Sequence, residues 1–439
     1  MPKKKTALTI EERLQQALVP AEEQPYEVPE NWVWVRLIGN VNSCLDGYRK
    51  PINSNERAQR VGNVPYYGAT GQVGWIDDYL TNEHLVLLGE DGAPFLDLLK
   101  DKAYVIFGEA WVNNHAHILK SCFGEIGNIF LMHYLNTVDY KDFVKGTTRL
   151  KLTQGSMQLM PFPLPPLSEQ QRIVERIEEL FAKLDEAKER LQEVADSFAV
   201  RKAAILHKAF TGELIGKQVT ELVPLENLVD LIKIGPFGSS LHESDYIENG
   251  IPLVNPKHIV QQRIVPQSKI SISDEKAEEL SSYKLKENDI VLGRRGEMGR
   301  CAPISNREEN WICGTGSMII RLKKEYDAKL YSLILGSQAT VTYLENSAVG
   351  STLKNLNEKI VRKIPVPQFS NEEQHEIVRL IDDLLARERA AQQAAEQALA
   401  SIDLMKKSIL ARAFRGELGT NKASEASALE LLRQVLAEN

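Results

Sequence analysis

Few residues in this chain have the types and spacing that catalysis or metal binding requires. His115 and His117 flank one alanine, a strand spacing that would point both imidazoles to one side, as metal ligands can require. Because no carboxylate or cysteine stands in register with them, the sequence favours a polar strand face. Asp91, Asp97 and Glu109 have the chemistry of catalytic carboxylates, but no spacing fixes their mutual geometry. We therefore predict no catalytic residue and no metal site.

Motifs for nucleotides and cofactors are also missing from the sequence. No GxGxxG follows a predicted strand and no GxxxxGK[ST] is present, so neither a dinucleotide site nor an ATP site is expected. The four cysteines are scattered without a CxxC pair, which predicts reduced, buried thiols. They are Cys44, Cys122, Cys301 and Cys313.

Basic and polar residues in predicted loops are the remaining candidates, and their chemistry suits DNA. Arginine can bind guanine and asparagine adenine through two hydrogen bonds, whereas lysine mostly contacts phosphate. The candidates in the first half of the chain are Arg49, Lys50, Arg57, Arg60, Tyr66, Tyr67, Thr70, Asn113, Asn114, His115, Arg149 and Lys151. Those in the second half are Lys257, His258, Arg294, Arg295, Arg300, Lys354 and Asn355. Any one of them is also compatible with an ordinary solvated surface position. Arg294 and Arg295 are the strongest pair, since flanking glycines would let the backbone approach a duplex.

The net charge of −7 argues against a simple DNA-binding surface. Residues 26–168 contain 12 Lys and Arg against 15 Asp and Glu, and residues 217–368 contain 20 against 19. Neither region is strongly basic. DNA binding would therefore depend on local basic clusters or on a partner.

An internal repeat organises the elements that must position these residues. With a shift of 204 residues, Gly146-Thr147-Thr148 falls on Gly350-Ser351-Thr352, and Gly212-Glu213-Leu214 on Gly416-Glu417-Leu418. The register holds without a gap from Gly146 to Leu214 and fades upstream. So long a period indicates duplication of a whole domain with its helix, not a solenoid.

Each copy ends in a predicted helix of about 40 residues, about 60 Å long. Apolar residues recur at steps of three and four, the pattern of a coiled coil, with Arg201 and Glu388 as polar interruptions. The predicted helix–helix interface consists of Ile173, Ile177, Leu180, Leu184, Leu191, Val194, Phe198, Ile205, Ile377, Ile381, Leu384, Ile402, Met405 and Ile409. The predicted caps are Ser168 and Ser370 at the helix starts and Gly212 and Gly416 beyond the helix ends.

Chain length predicts that the two helices pair antiparallel. The second globular region follows the first helix almost at once and leads directly into the second helix. A domain of that size is about 40 Å across, too short to reach the far end of a parallel pair. The predicted fold class is α+β, with two tandem domains separated by an antiparallel coiled-coil pair and pseudo-two-fold symmetry. Each domain is expected to contain a curved, largely antiparallel sheet.

The predicted boundaries follow from the repeat and the helices. They are an N-terminal extension at 1–25, a first domain at 26–167, a central helix at 168–216, a second domain at 217–369, a C-terminal helix at 370–418 and a tail at 419–439. The extension and the tail are amphipathic enough to dock on a partner or on the helices. No signal peptide or membrane-spanning run is visible, so a cytoplasmic location is expected.

The doubled helix motif resembles a known family. Ser168-Glu169-Gln170-Gln171-Arg172-Ile173-Val174 follows a proline-rich segment, and the helix closes with Ala209-Phe210-Thr211-Gly212-Glu213-Leu214. A degenerate second copy ends in Ala413-Phe414-Arg415-Gly416-Glu417-Leu418. Together with Val28-Pro29-Glu30-Asn31-Trp32, these segments look like the specificity subunit of a Type I restriction-modification system. The resemblance covers nearly the whole chain.

The resemblance implies a non-catalytic DNA-reading subunit. Two target recognition domains would each read half of a split double-stranded DNA site, and the helices would set the gap. The partners would be two adenine methyltransferase subunits, which bind S-adenosylmethionine, and restriction subunits that use ATP and Mg²⁺. Any deoxyribonuclease activity would belong to the assembled complex.

Two alternatives remain open from the residues alone. One is a scaffold whose helices space two protein-binding domains, without DNA. The other is an enzyme with a duplicated catalytic domain, which would need matching polar residues in both copies. The strongest shared residues lie in the helices, which favours diverged recognition domains.

Overall fold

The computed structural model describes residues 9–236, 240–348 and 355–438. The chain divides into two compact units: unit 1 comprises residues 1–192 and 396–439, and unit 2 comprises residues 193–395. Each unit contains one globular domain and part of each of two long helices.

The helices are α1 (Ile10–Ala17), α2 (Ser54–Gln59), α3 (Gly124–Leu135), α4 (Gln154–Leu159), α5 (Leu167–Phe210), α6 (Asp274–Glu279), α7 (Ala328–Leu335), α8 (Gln338–Ser347), α9 (Glu358–Arg362), α10 (Asn371–Ala413) and α11 (Ala428–Glu438). The strands of domain 1, in unit 1, are β1 (Val33–Arg36), β2 (Asn42–Cys44), β3 (Val64–Gly68), β4 (Gly71–Ile76), β5 (Thr81–Asn82), β6 (Leu85–Gly89), β7 (Ala103–Ile106), β8 (Glu109–Val112), β9 (Ala116–Ser121), β10 (Val144–Lys145), β11 (Lys151–Leu152) and β12 (Pro161–Leu164). The strands of domain 2, in unit 2, are β13 (Val223–Pro224), β14 (Val229–Ile234), β15 (Ile251–Val254), β16 (Ile259–Val260), β17 (Arg263–Ile264), β18 (Ser271–Ile272), β19 (Asp289–Gly293), β20 (Cys301–Pro303), β21 (Ile312–Cys313), β22 (Ser317–Leu322) and β23 (Pro365–Val366).

Domain 1 is built around an antiparallel sheet of order β2-β9-β6-β7. Successive side chains of a strand point to opposite faces. Val86 and Leu88 of β6 therefore lie in the main core with Phe130 of α3, whereas Leu85 and Leu87 lie in a second core on the other face. Because both faces are apolar, both must be covered.

A smaller sheet of order β4-β3-β8-β5 covers that second face. Its β3 and β8 run parallel, and its other pairs are antiparallel. Tyr67 and Val112 pack in the core between the two sheets, while Tyr66 and Trp111 belong to a separate cluster on the outer face.

Domain 2 has the same layers. Its main sheet has the order β14-β22-β19-β20, and its smaller sheet has the order β18-β15-β21 with β15 and β21 parallel. Ile290 and Leu292 of β19 lie in the core with Leu330 of α7, whereas Val291 lies in the core beside β15 and β21.

The two domains are structural repeats in their main sheets and in the strand pairs that join their ends. The central strands β6 and β19 both start and end 204 residues apart, and β1–β12 and β13–β23 join the start of each domain to its end. The repeat therefore continues in the backbone upstream of Gly146, where the sequence repeat fades. The predicted duplication of mixed α and β domains is confirmed. Each domain contains the expected antiparallel sheet, and the second, smaller sheet, which was not predicted, lies on its other apolar face.

Within each unit the long helices pair antiparallel, as predicted. In unit 1, Asp185 pairs with Lys406 at 2.6 Å and Lys188 with Asp403 at 3.4 Å. Residue numbers therefore rise along α5 while those of the contacted residues fall along α10. In unit 2, Arg201 of α5 bonds to Glu388 of α10 at 2.9 Å. The two polar interruptions of the heptad patterns thus contact each other.

The predicted helix–helix interface is buried unevenly. Its buried members are Ile173, Ile177, Phe198, Ile377, Ile381 and Ile402. Its half-buried members are Leu180, Leu184, Leu191, Ile205, Leu384 and Ile409. Val194 and Met405 are 43% and 50% exposed, against expectation. A straight helix drifts about 20° per heptad from a strict seven-residue repeat, which rotates some heptad positions out of the seam.

Several interface residues near the helix ends serve the domain cores. Ile173 and Ile177 lie in the main core of domain 1 with Phe414, and Ile377 and Ile381 lie in the main core of domain 2. Each domain is therefore fused to its helix pair by shared packing.

The helix ends agree with three of the four predicted caps. Ser370 accepts a hydrogen bond from the Glu373 amide at 3.3 Å, and Gly212 and Gly416 have φ values of +80° and +73°. Helix α5 instead begins at Leu167, with Ser168 inside its first turn. The preceding proline residues supply a φ suited to starting a helix, which replaces the serine cap.

The N-terminal extension and the tail dock on domain 1, and the tail also contacts helix α5, as one of the two expectations had it, since Arg172 pairs with Glu425 at 2.7 Å. Leu14 and Ala17 of α1 and Leu432 and Leu436 of α11 are buried in its main core. Arg433 of α11 also pairs with Glu11 of α1 at 3.3 Å. Residues 1–8 of the predicted extension lie outside the described residues.

All four cysteines are free thiols, and Cys301 and Cys313 are buried. Cys122, directly after β9, is exposed and Cys44 is half-buried, contrary to expectation. In the part of the chain that the structure describes, no helix is long and apolar enough to cross a membrane.

Candidate nucleic-acid interface

Many of the candidate residues in domain 1 converge on the turn Gly89–Gly92, which follows β6. The Glu90 amide donates to the His115 carbonyl at 2.8 Å, and the Glu90 carbonyl accepts from the Leu152 amide at 2.8 Å. Asp91 forms a bridge to Lys151. Backbone contacts with two other segments, at residue 115 and at residues 151–152, thus hold this turn in place. We call it turn 1.

Domain 2 holds the turn Gly293–Gly296, called turn 2, in the same way. The Arg294 amide donates to the Gly316 carbonyl at 2.9 Å, and the Arg294 carbonyl accepts from the Leu356 amide at 2.9 Å. Arg295 bridges to Asn355. Equivalent residues are 204 positions apart in the sequence. The equivalent pairs are Glu90 and Arg294, Asp91 and Arg295, and the bridging residues Lys151 and Asn355.

Turn 1 carries a network of ion pairs. The Glu90 carboxylate contacts Arg49 and lies 2.7 Å from Lys151. Arg49 also pairs at 2.9 Å with Asp46, which lies 2.7 Å from Nδ1 of His117. Every charge in this group has an opposite neighbour.

Asp91 organises the other side of turn 1. Its Oδ1 lies 2.6 Å from Nδ1 of His115 and 2.7 Å from Nη2 of Arg149. The His115 amide donates to Oδ1 of Asn113 at 2.8 Å, and Asn113 is itself buried. The fold therefore gathers five predicted DNA-binding residues around the turn, with the basic ones engaged by acids.

The two central carboxylates remain ionised in this setting. Burial opposes the charge of Asp46, but hydrogen bonds from His117 and the charge of Arg49 outweigh it and lower its pKa. Burial likewise opposes the charge of Glu90, and hydrogen bonds from Lys151 and Arg49 lower its pKa below the ordinary value.

Possible ligand atoms of Cys44, Asp46 and His117 lie within 4.8 Å of one another. The expectation that no carboxylate or cysteine stands in register with the histidines is therefore wrong for His117, because Cys44 and Asp46 come to it from a distant segment. Nε2 of His117 already lies 2.9 Å from the Leu152 carbonyl, and Nδ1 faces Asp46. These contacts are those of an ion-pair cluster, and the absence of a metal site stays a prediction.

Turn 2 has the opposite character. Arg294 and Arg295 form no ion pair among the residues described here, and Nε of Arg294 is buried without a hydrogen-bond partner among them. Burial and the neighbouring charge of Arg295 lower the pKa of Arg294. Among the described residues, neither of these two adjacent arginines thus has an acidic partner.

The other candidates of domain 2 are divided. Lys257 is exposed, and Pro256 beside it lies against Gly293 and Gly316 of the turn region. His258 is buried, with Nδ1 at 2.8 Å from the Leu253 carbonyl, so it is a core histidine and not a surface reader. Arg300 pairs with Glu297. Lys354 lies outside the described residues.

A second basic group covers the outer face of the smaller sheet in domain 1. The guanidinium of Arg57 lies 4.9 Å from the Tyr66 ring, and that of Arg60 lies 4.6 Å from the Trp111 ring. Nζ of Lys50 also lies 5.8 Å from Trp111. Tyr66 is buried, and its ring lies beneath the Arg57 guanidinium. Of the other candidates in this domain, Thr70 and Asn114 are exposed and Tyr67 is half-buried.

The family model for the Type I restriction modification DNA specificity domain matches the chain twice, over residues 29–196 and 226–398. The chain belongs to this family. Its two domains are target recognition domains, and the resemblance stated from the helix motifs is confirmed.

Similar proteins with curated descriptions are Type I specificity subunits. One from Haemophilus influenzae is 35% identical over 145 residues, which is 33% of this chain and 36% of that protein. The EcoBI specificity subunit of Escherichia coli is 29% identical over 334 residues, 70% of this chain and 69% of that protein. The Haemophilus match thus spans about a third of its relative.

Two solved structures share the fold of this specificity subunit. The HsdS subunit from Thermoanaerobacter tengcongensis has a TM-score of 0.59 at 18% identity, over 90% of this chain and 100% of that one. A chain from a study of complex assembly and conformational transition in the type I system has a TM-score of 0.58 at 19% identity, with the same coverage.

Sequence reasoning missed the acidic residues that control the first recognition domain. Asp46, Glu90 and Asp91 hold its basic side chains, yet none was predicted to do so. The signal was present, since Gly89-Glu90-Asp91-Gly92 falls on Gly293-Arg294-Arg295-Gly296 at the repeat shift of 204.

Proposed function

We propose that this specificity subunit reads a bipartite DNA site, one half with each target recognition domain. The observation that carries the proposal is the pair of equivalent turns, which share a backbone but carry opposite charges. One scaffold with different side chains at the same place is what recognition of two different half-sites requires.

We infer further that the subunit catalyses no reaction itself. Glu90 and Asp91 are the carboxylates best placed for chemistry, and basic side chains hold both. Catalysis would come from two methyltransferase subunits with S-adenosylmethionine and from restriction subunits with ATP and Mg²⁺, and the complex would act on DNA in the cytoplasm. Basic surfaces of these partners would compensate for the acidic balance of domain 1.

Mapping of N6-methyladenine in the source cell tests the proposal. The map is compared between cells with the gene intact, deleted, and restored on a plasmid. We expect one split motif to lose methylation in the deletion and regain it on restoration. The two halves of that motif, and the gap between them, would then be the site of this subunit.

A matched control uses a restored gene with Leu98→Ala, a substitution at an exposed position. This variant should return methylation as the unchanged gene does. Survival of every split motif in a deletion strain whose methyltransferase is expressed would contradict the proposal. That outcome would favour the scaffold interpretation, in which the two domains bind proteins.

A further inference from the structure

Turn 1 and turn 2 occupy the same place in their domains but present different groups. Each follows the central strand of the main sheet, and each first glycine amide donates across the sheet, to the Lys102 carbonyl at 2.9 Å and the Arg300 carbonyl at 2.8 Å. At the next two positions Glu90 and Asp91 correspond to Arg294 and Arg295. The charge difference is therefore four units over these two positions.

The surroundings of turn 1 cancel its charge. Glu90 is shared by Arg49 and Lys151, and Asp91 by Arg149 and His115. Side chains in such pairs must break an existing ion pair before they contact a phosphate. Turn 1 is thus closed to anions by its own structure.

The surroundings of turn 2 leave its charge available. Asn355, a neutral side chain, stands where Lys151 stands in domain 1, and its Oδ1 is buried without a partner among the described residues. Arg295 is exposed, and a Cβ added at Gly296 would meet no described atom within 4 Å. Two adjacent like charges repel, and an anion or an acceptor-rich surface relieves that repulsion.

We propose that turn 2 is a DNA contact which turn 1 does not make. Arg294 and Arg295 donate to acceptor oxygens of the half-site that domain 2 reads, either phosphate oxygens or the O6 and N7 edge of guanine. Glycines at both ends of the turn keep side chains out of the way of the duplex. Domain 1 must hold its half-site through other residues, so the two halves are bound by different chemistry. This inference rests on the proposed DNA-reading function.

The test uses the complex of this chain with its methyltransferase subunits and a duplex carrying the mapped motif. Binding is measured from low to moderate salt for the unchanged complex, Arg295→Gln in domain 2, and the matched control Arg149→Gln in domain 1. Both substitutions remove one exposed arginine, Arg295 from turn 2 itself and Arg149 from the segment whose side chain pairs with Asp91 of turn 1. We expect Arg295→Gln to weaken binding about tenfold and Arg149→Gln to change it less than about twofold.

Two further arms distinguish the acceptors. Loss of a phosphate contact should lower the slope of log affinity against log salt by about 1, equally for all sequences. Loss of a guanine contact should leave the slope and relax the motif at one position of a single half-site. In that case 7-deazaguanine at that position should weaken the unchanged complex but not Arg295→Gln.

Arg294→Lys and Arg295→Lys keep the charge and serve as folding controls. They should retain phosphate binding and lose bidentate guanine binding. The inference is overturned if Arg295→Gln binds and methylates like the unchanged complex, or if Arg149→Gln is equally impaired. If the unchanged complex neither binds nor methylates a split motif, the proposed function itself has failed.

Discussion

Domain 1 and domain 2 share the topology of their main sheets and carry different side chains on the turn that follows the central strand. Their main sheets have equivalent orders, and their central turns are held by equivalent hydrogen bonds. The acids in turn 1 are paired with basic residues from four other positions, whereas the arginines in turn 2 have no acidic partner among the described residues. The two domains therefore share the backbone hydrogen bonds that position the turn, whereas the side chains that the turn presents differ.

The largest effect we expect tests the shared core. Leu88 and Leu292 lie 204 residues apart on the central strands, and both are fully buried. Truncation to alanine should cost about 3 kcal/mol at either site, through lost burial and the cavity left behind. Thermal unfolding should show that Leu88→Ala lowers the transition of unit 1 and Leu292→Ala that of unit 2.

Leu98→Ala, at a position that is 56% exposed, is the control and should change stability by less than about 0.5 kcal/mol. Equal shifts of both transitions from either core variant would show that the two domains do not melt separately.

A second, smaller effect should appear only in domain 1. Glu90→Gln removes one counterion of Arg49 and should destabilise unit 1 by about 1–2 kcal/mol near pH 7. Because folding lowers the pKa of Glu90, its stabilisation is present above the ordinary carboxyl pKa of about 4 and is lost as pH falls through the lowered value. Chemical unfolding at a series of pH values should show less acid dependence in Glu90→Gln.

Arg294→Gln at the equivalent position is the matched comparison. It removes a charge that nothing described neutralises, so it should leave unit 2 as stable or make it slightly more stable. Destabilisation as large as that of Glu90→Gln would contradict the contrast drawn between the two turns.

The helix pair provides a third contrast, between the polar contact in unit 2 and those in unit 1. Removing either partner of Arg201–Glu388, whose side chains are 39% and 25% exposed, should cost about 1 kcal/mol. Replacing both with leucine should restore stability, since apolar residues suit a helix seam. In urea unfolding, Lys188→Met should cost almost nothing, because its pair with Asp403 is more exposed.

The smallest effects belong to heptad positions that the helices leave at the surface. Val194→Ala and Met405→Ala should each change stability by less than about 0.5 kcal/mol. Ile402→Ala, 4% exposed on the same helix as Met405, should cost about 3 kcal/mol. If Met405→Ala matched Ile402→Ala in thermal unfolding, the seam would include positions that are exposed in this structure.

Much of the architecture could be predicted from local patterns. The heptad steps and the repeat predicted both long helices and their direction, and glycines at 212 and 416 located their ends. These features depend on residues close in the sequence or on a repeat that keeps one spacing over many residues. Both are readable in one sequence.

The chemistry of the turns was harder to read. Asp46 and His117 are 71 residues apart, and Asp91 and Arg149 are 58 apart, so only the folded sheets bring them together. The candidate residues were chosen for charge, and charge alone does not tell a paired arginine such as Arg149 from an unpaired one such as Arg295. His258 was misassigned for the same reason, because its burial depends on the second sheet.

The two units also differ in how the chain supplies them. Unit 2 is one continuous stretch, whereas the main core of domain 1 includes Leu410, Phe414, Leu432 and Leu436 from the distant end of the chain. Because a ribosome releases residues in order, all of unit 2 is synthesised before the C-terminal residues that complete the core of domain 1. The domain made first is therefore the domain finished last, and until then its apolar face is open to chaperones and to misassembly.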